Sequence, residues 1–187
     1  MNALPLYDTI FLDRDGTLNP DPGYIDSLEH YQFYDFTLKA LEVLARHGYR
    51  FCIVTNQSGV ARGLIKPEKL AEIHHFIRDT FRNYGIPLLG IYQCTDHPRE
   101  AGEHRKPGSG MFLEAATDHG VILPASLMIG DAVSDMEAGV KLGMDTMLVL
   151  TGKGKATRTL LKDRFYPTYV VENLLAGARR LTGGSRS

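Results

Sequence analysis

Residues 10–19 read Ile10-Phe11-Leu12-Asp13-Arg14-Asp15-Gly16-Thr17-Leu18-Asn19, an apolar run that leads directly into two carboxylates. Three consecutive apolar residues followed by polar residues and a glycine indicate a short buried strand that ends in a loop. Because side chains two positions apart can face the same side of a chain, Asp13 and Asp15 can act together. Aspartate and glycine are also common in ordinary turns, so this stretch alone leaves both interpretations open.

The rest of the chain alternates short apolar runs with segments of helical periodicity. Further strands are expected at residues 51–54, 88–92, 126–129, 146–150 and 169–171, and helices at 37–46, 67–84, 110–119, 136–142 and 174–181. Strands that alternate with helices are joined by right-handed crossovers, so we expect an α/β fold with a doubly wound, mostly parallel sheet. Ligands bind such sheets outside the carboxyl ends of the strands.

Length and charge exclude several classes of protein. The 187 residues include 21 Lys and Arg against 22 Asp and Glu, which gives a net charge of −1. This balance argues against a nucleic-acid or anionic-membrane partner, and no apolar run approaches the roughly 20 residues of a membrane span. The length fits one domain, which we place at residues 1–181, with 182–187 as a disordered tail.

The cellular compartment is inferred from cysteine content and from the first residues. Two cysteines, Cys52 and Cys94, cannot form a disulfide framework and fit a reducing environment. Met1–Pro5 has neither the charged region nor the apolar region of a signal peptide. We therefore expect a cytoplasmic protein, and we expect it to be a monomer.

A third carboxylate, Asp131, follows another predicted strand and should meet Asp13 and Asp15 at one edge of the sheet. Three converging carboxylates repel one another unless a cation joins them, and a hard ion such as Mg²⁺ meets that need. Asp135 could orient Lys106 or a metal-bound water. It could equally be an acidic residue favoured by the dipole at the start of a helix.

Two further segments suit an anionic phosphoryl group. Residues 55–59, Thr-Asn-Gln-Ser-Gly, offer a hydroxyl, backbone N–H groups and a helix start, with Ser58 as a candidate N-cap. Lys106, beside Arg105, can supply positive charge against phosphate, or the pair can be solvated loop residues.

Taken in order, these segments resemble the four motifs of the haloacid dehalogenase superfamily of phosphatases. The segments are residues 11–19, 55–59, 105–107 and 130–135. More narrowly, residues 7–150 resemble the bacterial D-glycero-D-manno-heptose 1,7-bisphosphate phosphatases and the related histidinol-phosphate phosphatases. Neither gap between the motifs is long enough for the inserted cap domain of other members, so we expect an open site without a large cap domain.

The resemblance implies a Mg²⁺-dependent phosphomonoester hydrolase of carbohydrate metabolism that acts through an aspartyl-phosphate. Asp13 would be the nucleophile and Asp15 the general acid and base. Mg²⁺ would be held by Asp13, by Asp131 and by the backbone carbonyl of Asp15, and would reach Asp135 through water. The residues that would bind phosphate or the rest of the substrate are Thr55, Asn56, Gln57, Ser58, Arg105, Lys106 and Tyr24.

The substrate would be a small phosphorylated metabolite such as heptose 1,7-bisphosphate, with histidinol phosphate or a broad range of small phosphoesters as alternatives. Ala132 stands where heptose phosphatases often carry a lysine, which argues against assuming the heptose bisphosphate.

The segment before Arg105 departs from the resembled families, which carry a zinc loop there. Cys94 is kept, but Asp96, Gly102 and His104 stand where the other ligands belong. A structural zinc site requires a suitable side chain at each vertex, and glycine supplies none, so we expect no zinc. Cys94, His97 and His104 could still gather a metal.

A phospho-accepting receiver domain of a signalling system is an alternative from a different functional class. Receivers also combine a doubly wound sheet, a phosphorylated aspartate, Mg²⁺, a Thr or Ser and a Lys. They lack an acid two residues beyond that aspartate, and their nucleophile lies on a middle strand of the sequence. Asp15, and the place of Asp13 after the first strand, therefore favour the phosphatase.

Overall fold

The computed structural model describes residues 6–162 and 164–183. The strands are β1 (Ile10–Leu12), β2 (Phe51–Asn56), β3 (Leu88–Cys94), β4 (Leu127–Gly130), β5 (Asp145–Val149) and β6 (Tyr169–Val171). The helices are α1 (Thr37–Arg46), α2 (Pro67–Asn83), α3 (Gly110–His119), α4 (Val133–Lys141), α5 (Gly154–Leu161) and α6 (Leu174–Thr182). Short 3₁₀ turns lie at Leu28–His30 and Leu123–Ala125.

The six strands form one sheet in the order β3-β2-β1-β4-β5-β6, and every neighbouring pair is parallel. The chain runs outward from β1 to β3, and then returns to place β4 on the other side of β1. The loops that follow β1 and β4 therefore diverge at the middle of the sheet, which is where such folds bind ligands. The predicted α/β fold with a doubly wound parallel sheet is confirmed.

The apolar run of β1 is buried on both faces of the sheet, as a central parallel strand requires. Ile10 and Leu12 belong to a core that includes residues of α1, α2 and α6. Phe11 points to the opposite face, where its ring centroid lies 5.1 Å from that of Phe112 on α3. The strand that carries Asp13 at its end is thus held from both sides.

Two helices differ from the predictions. The helix α4 begins at Val133 rather than at Met136, because the Asp135 carboxylate accepts a hydrogen bond from the Ala132 N–H at 3.0 Å and caps the first turn. The helix α5 was not predicted, because its sequence places few apolar residues at helical spacing.

The segment after β2 does not begin a helix, so the prediction of Ser58 as an N-cap is wrong. Residues 58–63 form successive turns, and α2 begins only at Pro67. Gly63 adopts a φ of 69°, a left-handed conformation that a continuing helix cannot contain.

The two ends of the chain lie largely beyond the described residues. Met1–Pro5 and residues 184–187 are outside the described ranges. Thr182, which the sequence places in a disordered tail, is the last residue of α6, and its hydroxyl donates to the Ala178 carbonyl at 2.9 Å. Within the described ranges, no helix has both the length and the apolar character needed to cross a membrane.

The core around β2 gives a test of the fold. Ile53 is fully buried, so Ile53→Ala should lower the free energy of unfolding by about 2–5 kcal/mol, through lost burial and a cavity. Ile53→Val, which removes a single methylene, should cost about 0.5–1.5 kcal/mol. Urea denaturation of the three proteins measures both values. Equal stability of the wild-type and alanine proteins would contradict the described packing.

Candidate active site

A cleft of about 510 Å³ opens at the carboxyl ends of β1, β2 and β4. The loops after these strands form its walls, together with Arg105 and Lys106 from the loop before α3 and Lys153 from the loop before α5. Every site residue that the sequence predicts lines this cleft. The convergence follows from the parallel sheet, which brings the ends of its strands to one edge.

The Lys106 side chain lies at the bottom of the cleft and is buried between two acids. Its Nζ donates to Asp13 Oδ1 at 2.6 Å and to the Val54 carbonyl at 2.7 Å, and it lies 2.7 Å from Asp135 Oδ1. The ammonium group thus donates two hydrogen bonds and forms a further ion pair with Asp135. Asp135 therefore lies beside Lys106, in keeping with one of the three roles that the sequence left open.

The Asn56 side chain bonds to the backbone of Lys106. Its Nδ2 donates to the Lys106 carbonyl at 3.1 Å, and its Oδ1 accepts from the Lys106 N–H at 3.0 Å. These two bonds help to hold Lys106 in the cleft, which Asn56 also lines. The contact of Asn56 with phosphate stays a prediction.

Burial and the attraction of opposite charge shift the pKa values of Asp13 and Lys106 in opposing directions. Burial raises the pKa of Asp13, and repulsion from Asp135 and Asp131 adds to this effect, so the pKa stays well above its usual value despite Lys106. Burial alone would lower the pKa of Lys106, but attraction by Asp13 and Asp135 outweighs it and raises that pKa. The lysine therefore stays charged, whereas Asp13 releases its proton less readily than a free carboxyl.

Asp131 is enclosed by two glycines. A Cβ at Gly16 or at Gly152 would overlap Asp131 Oδ2, and both glycines have positive φ, at 89° and 51°. The same oxygen accepts the Lys153 N–H at 2.7 Å. Burial first, and then repulsion from Asp135, raises the pKa of Asp131 to about 7.

The acids of the cleft form a set that a divalent cation fits. Ligand oxygens of Asp13, Asp131 and Asp135 lie within 4.8 Å of one another. Among the described residues, these three side chains form the cluster that could hold a metal ion. Carboxylate oxygens are ligands that Mg²⁺ prefers. A cation would also stabilise the ionised forms that burial and mutual repulsion disfavour.

The Asp15 carboxylate accepts four hydrogen bonds, two on each oxygen. Oδ1 accepts from Arg14 Nε at 3.0 Å and Asn19 Nδ2 at 2.9 Å, and Oδ2 accepts from Arg14 Nη2 at 2.8 Å and Gln57 Nε2 at 2.7 Å. Burial raises the pKa of this carboxyl, but Arg14 and the two amides outweigh burial and lower it below its usual value.

Sequence reasoning missed Arg14 and Asn19 as members of the site. Both side chains are fully buried, and both bond to Asp15. One feature of the sequence could have indicated Arg14: it is a charged residue between two acids, directly after a buried strand. In that position a guanidinium can pair with a carboxylate.

The remaining predicted binding residues lie along one wall of the cleft. The Gln57 amide nitrogen is occupied by Asp15 and by Thr55 Oγ1 at 2.8 Å, which leaves the threonine hydroxyl hydrogen free to donate. Ser58 follows on the same loop, and a Cβ at Gly59 would meet the Tyr24 ring at 2.8 Å, so the ring packs on that glycine.

The loop between β3 and Arg105 holds the residues considered for zinc. Cys94 is buried at the end of β3, His97 Nδ1 accepts the Arg99 N–H at 3.3 Å, and His104 Nε2 lies 3.5 Å from a Glu114 oxygen. Each of these side chains thus has different neighbours. The absence of zinc stays a prediction.

Comparisons with known proteins define the family. A family model described as HAD-hydrolase-like matches residues 103–177. The D-glycero-β-D-manno-heptose-1,7-bisphosphate 7-phosphatase of Photorhabdus laumondii is 39% identical over 152 residues, which cover 77% of this chain and 81% of the relative. The enzyme of the same name from Vibrio cholerae is 36% identical over 177 residues, covering 87% and 95%. The chain belongs to the haloacid dehalogenase superfamily.

Solved structures support this assignment. The crystal structure of D,D-heptose 1,7-bisphosphate phosphatase from B. bronchiseptica, complexed with magnesium and phosphate, superposes with a TM-score of 0.83 at 31% identity, covering 92% of this chain and 97% of that one. The chain is accordingly a phosphatase, a phosphoric monoester hydrolase. The receiver-domain alternative is thereby excluded.

Removal of divalent cations from this phosphatase should make its stability depend on pH through Asp131. The unfolded carboxyl ionises near pH ~4, whereas the folded one has a pKa of about 7. Between these values the folded state keeps a proton that the unfolded state has lost. The free energy of unfolding should therefore fall as pH rises through this window.

The measurement compares thermal unfolding of wild type and Asp131→Asn in EDTA at pH 5 and pH 8. The melting temperature of the wild type should fall more between these pH values than that of the variant, which cannot ionise at position 131. Mg²⁺ should restore the wild type at pH 8. Identical pH dependence in the two proteins would contradict the described environment of Asp131.

Proposed function

We propose that this phosphatase hydrolyses a sugar phosphate through an aspartyl-phosphate formed on Asp13. The observation that supports this most is the buried contact between Asp13 and Lys106, since it fixes one carboxylate oxygen at the bottom of an open cleft. Carboxylates in such positions are effective nucleophiles, and nearby positive charge stabilises the phosphoryl group during transfer.

Two displacements at phosphorus complete the reaction. An Asp13 oxygen attacks the phosphorus and the bond to the sugar oxygen breaks, while Asp15 donates a proton to that oxygen. Water then attacks the phosphorus, the bond to Asp13 breaks, and Asp15 takes a proton from the water. The buried charge of Lys106 and the Thr55 hydroxyl face the phosphoryl oxygens during both steps.

We assign Mg²⁺ to the carboxylates of Asp13 and Asp131, with the Asp15 backbone carbonyl as a third ligand. When bound, the ion neutralises charge between the carboxylates and phosphate, and keeps Asp13 ionised. The arrangement of the three acids supports this assignment, as does the magnesium in the B. bronchiseptica structure.

D-glycero-D-manno-heptose 1,7-bisphosphate is the substrate that we propose, with loss of its 7-phosphate. The relatives that carry this activity in their names support it. The cleft also offers two cationic side chains besides Lys106, from Arg105 and Lys153. Arg105 is half-buried at the cleft, where its positive charge would attract a second phosphate group on the substrate.

Substitution of the two aspartates tests the proposed chemistry. Asp13→Asn should abolish Mg²⁺-dependent hydrolysis, because an amide cannot form the acyl-phosphate. Asp15→Asn should lower kcat by about 10²–10⁴-fold through loss of general acid–base catalysis. Steady-state phosphate release measures both effects, with Asp79→Asn, at a half-buried position on α2 outside the cleft, as the matched control. Full activity in either site variant would refute the mechanism.

A panel of phosphoesters tests the substrate. With Mg²⁺ present, kcat/KM should be highest for the heptose 1,7-bisphosphate and should fall for hexose bisphosphates, histidinol phosphate and nucleotides. Arg105→Gln should raise KM for bisphosphates more than for monophosphates, because only bisphosphates carry the second anionic group. A clear kcat/KM preference for histidinol phosphate would contradict the proposed substrate and identify histidinol phosphate in its place.

A further inference from the structure

A buried guanidinium connects the proposed general acid to helix α2. Arg14 is completely buried, although its two sequence neighbours line the cleft. Its Nε and Nη2 bond to the two oxygens of Asp15 in a bidentate pair. This pairing accounts for two of its three nitrogens.

The third nitrogen, Arg14 Nη1, lies 3.2 Å from His74 Nε2. A guanidinium has only donors, so the histidine nitrogen must accept, which requires a neutral imidazole with its proton on Nδ1. Burial, and then the charge of Arg14, lower the pKa of His74 to about 3, which is consistent with the neutral form. On another side, the Tyr31 ring lies 5.8 Å from the guanidinium carbon, within cation–π range.

His74 lies on the buried face of α2. Ile73, Ile77 and Phe81 on the same face belong to the core that α2 shares with β1. The Arg14 guanidinium is therefore fixed by a long helix packed on the sheet as well as by the loop that carries it.

The contacts of Asp15 determine what this fixation does. Arg14 occupies one position on each oxygen of the carboxylate, and the neutral amides of Asn19 and Gln57 occupy the others. Asp15 and Gln57 line the cleft, whereas Asn19 is fully buried behind them. Since Arg14 is fixed, the plane of the Asp15 carboxyl is fixed as well.

We propose that His74 and Arg14 are positioning residues that fix the orientation in which the Asp15 carboxyl meets the leaving oxygen of the substrate. This inference rests on the proposed function, in which Asp15 is the general acid. Neither residue contacts substrate in this scheme. They act through Asp15 alone, and a displacement of about 1 Å in such a group can cost 10²-fold in rate.

The test uses two substrates that differ in their need for a proton on the leaving group. The first is the sugar phosphate that the wild type hydrolyses best, and the second is p-nitrophenyl phosphate, whose phenolate leaves without protonation. The readout is the ratio of kcat/KM values for the two substrates, since kcat/KM covers the steps up to release of the leaving group.

His74→Leu removes the acceptor for Arg14 and fills its place with an apolar side chain of similar size. We expect it to lower kcat/KM for the sugar phosphate by about 10- to 100-fold, through kcat with little change in KM, and to affect p-nitrophenyl phosphate far less. His74→Gln, whose amide oxygen can replace Nε2 as acceptor, should recover most of the lost activity.

Ile77→Val is the control on the same helix, because it loosens the core without removing an acceptor. Its substrate ratio should equal that of the wild type. If the leucine variant does not fold, His74→Asn, whose shorter amide does not reach Arg14, takes its place against His74→Gln.

Two outcomes would overturn the inference: an unchanged substrate ratio in the variant without an acceptor, or the same change of ratio in Ile77→Val. Failure of the proposed function is recognised separately. It would appear as wild-type protein without phosphatase activity on any sugar phosphate, or as full activity in Asp15→Asn.

Discussion

One buried ammonium group holds the cleft together. Lys106 Nζ contacts Asp13, Asp135 and the Val54 carbonyl within 2.7 Å. It therefore joins the loop after β1, the strand β2 and the first turn of α4, which are distant in sequence. Opposite charges in such a dry setting interact strongly, but one cation cannot neutralise every acid of the cleft. In the proposed mechanism Mg²⁺ supplies the positive charge that keeps the remaining carboxyls ionised.

The topology of the sheet explains why these groups meet. The strand β1 lies in the middle of the sheet, and the chain leaves it in one direction and returns to its other side as β4. Leu12 and Ile129 are paired at the ends of these strands, so Asp13 and Asp131 follow only one and two residues later, respectively. Small residues complete the arrangement, since Gly16 and Gly152 leave room for the Asp131 carboxylate alone.

The sequence predicts the fold class and the location of the site, because buried apolar runs mark the strands and the parallel sheet fixes where their polar ends meet. It does not predict individual contacts. Asn56 carries a phosphate-binding pattern, yet its amide holds the Lys106 backbone. Arg14 is a charged residue in a loop, which normally indicates exposure to solvent. Only its contacts with Asp15 and His74 in the folded chain show that it is buried. Such choices depend on distances between residues far apart in sequence.

The pairing of β4 with β1 has a consequence for assembly of the chain. Only that pairing brings Asp131 close to Asp13, so the two strands complete their approach against repulsion between carboxylates that are losing their water. A proton or a cation relieves this repulsion. In metal-free protein at neutral pH, the junction between β1 and β4 is therefore where the repulsion between these carboxylates opposes the packing of the sheet.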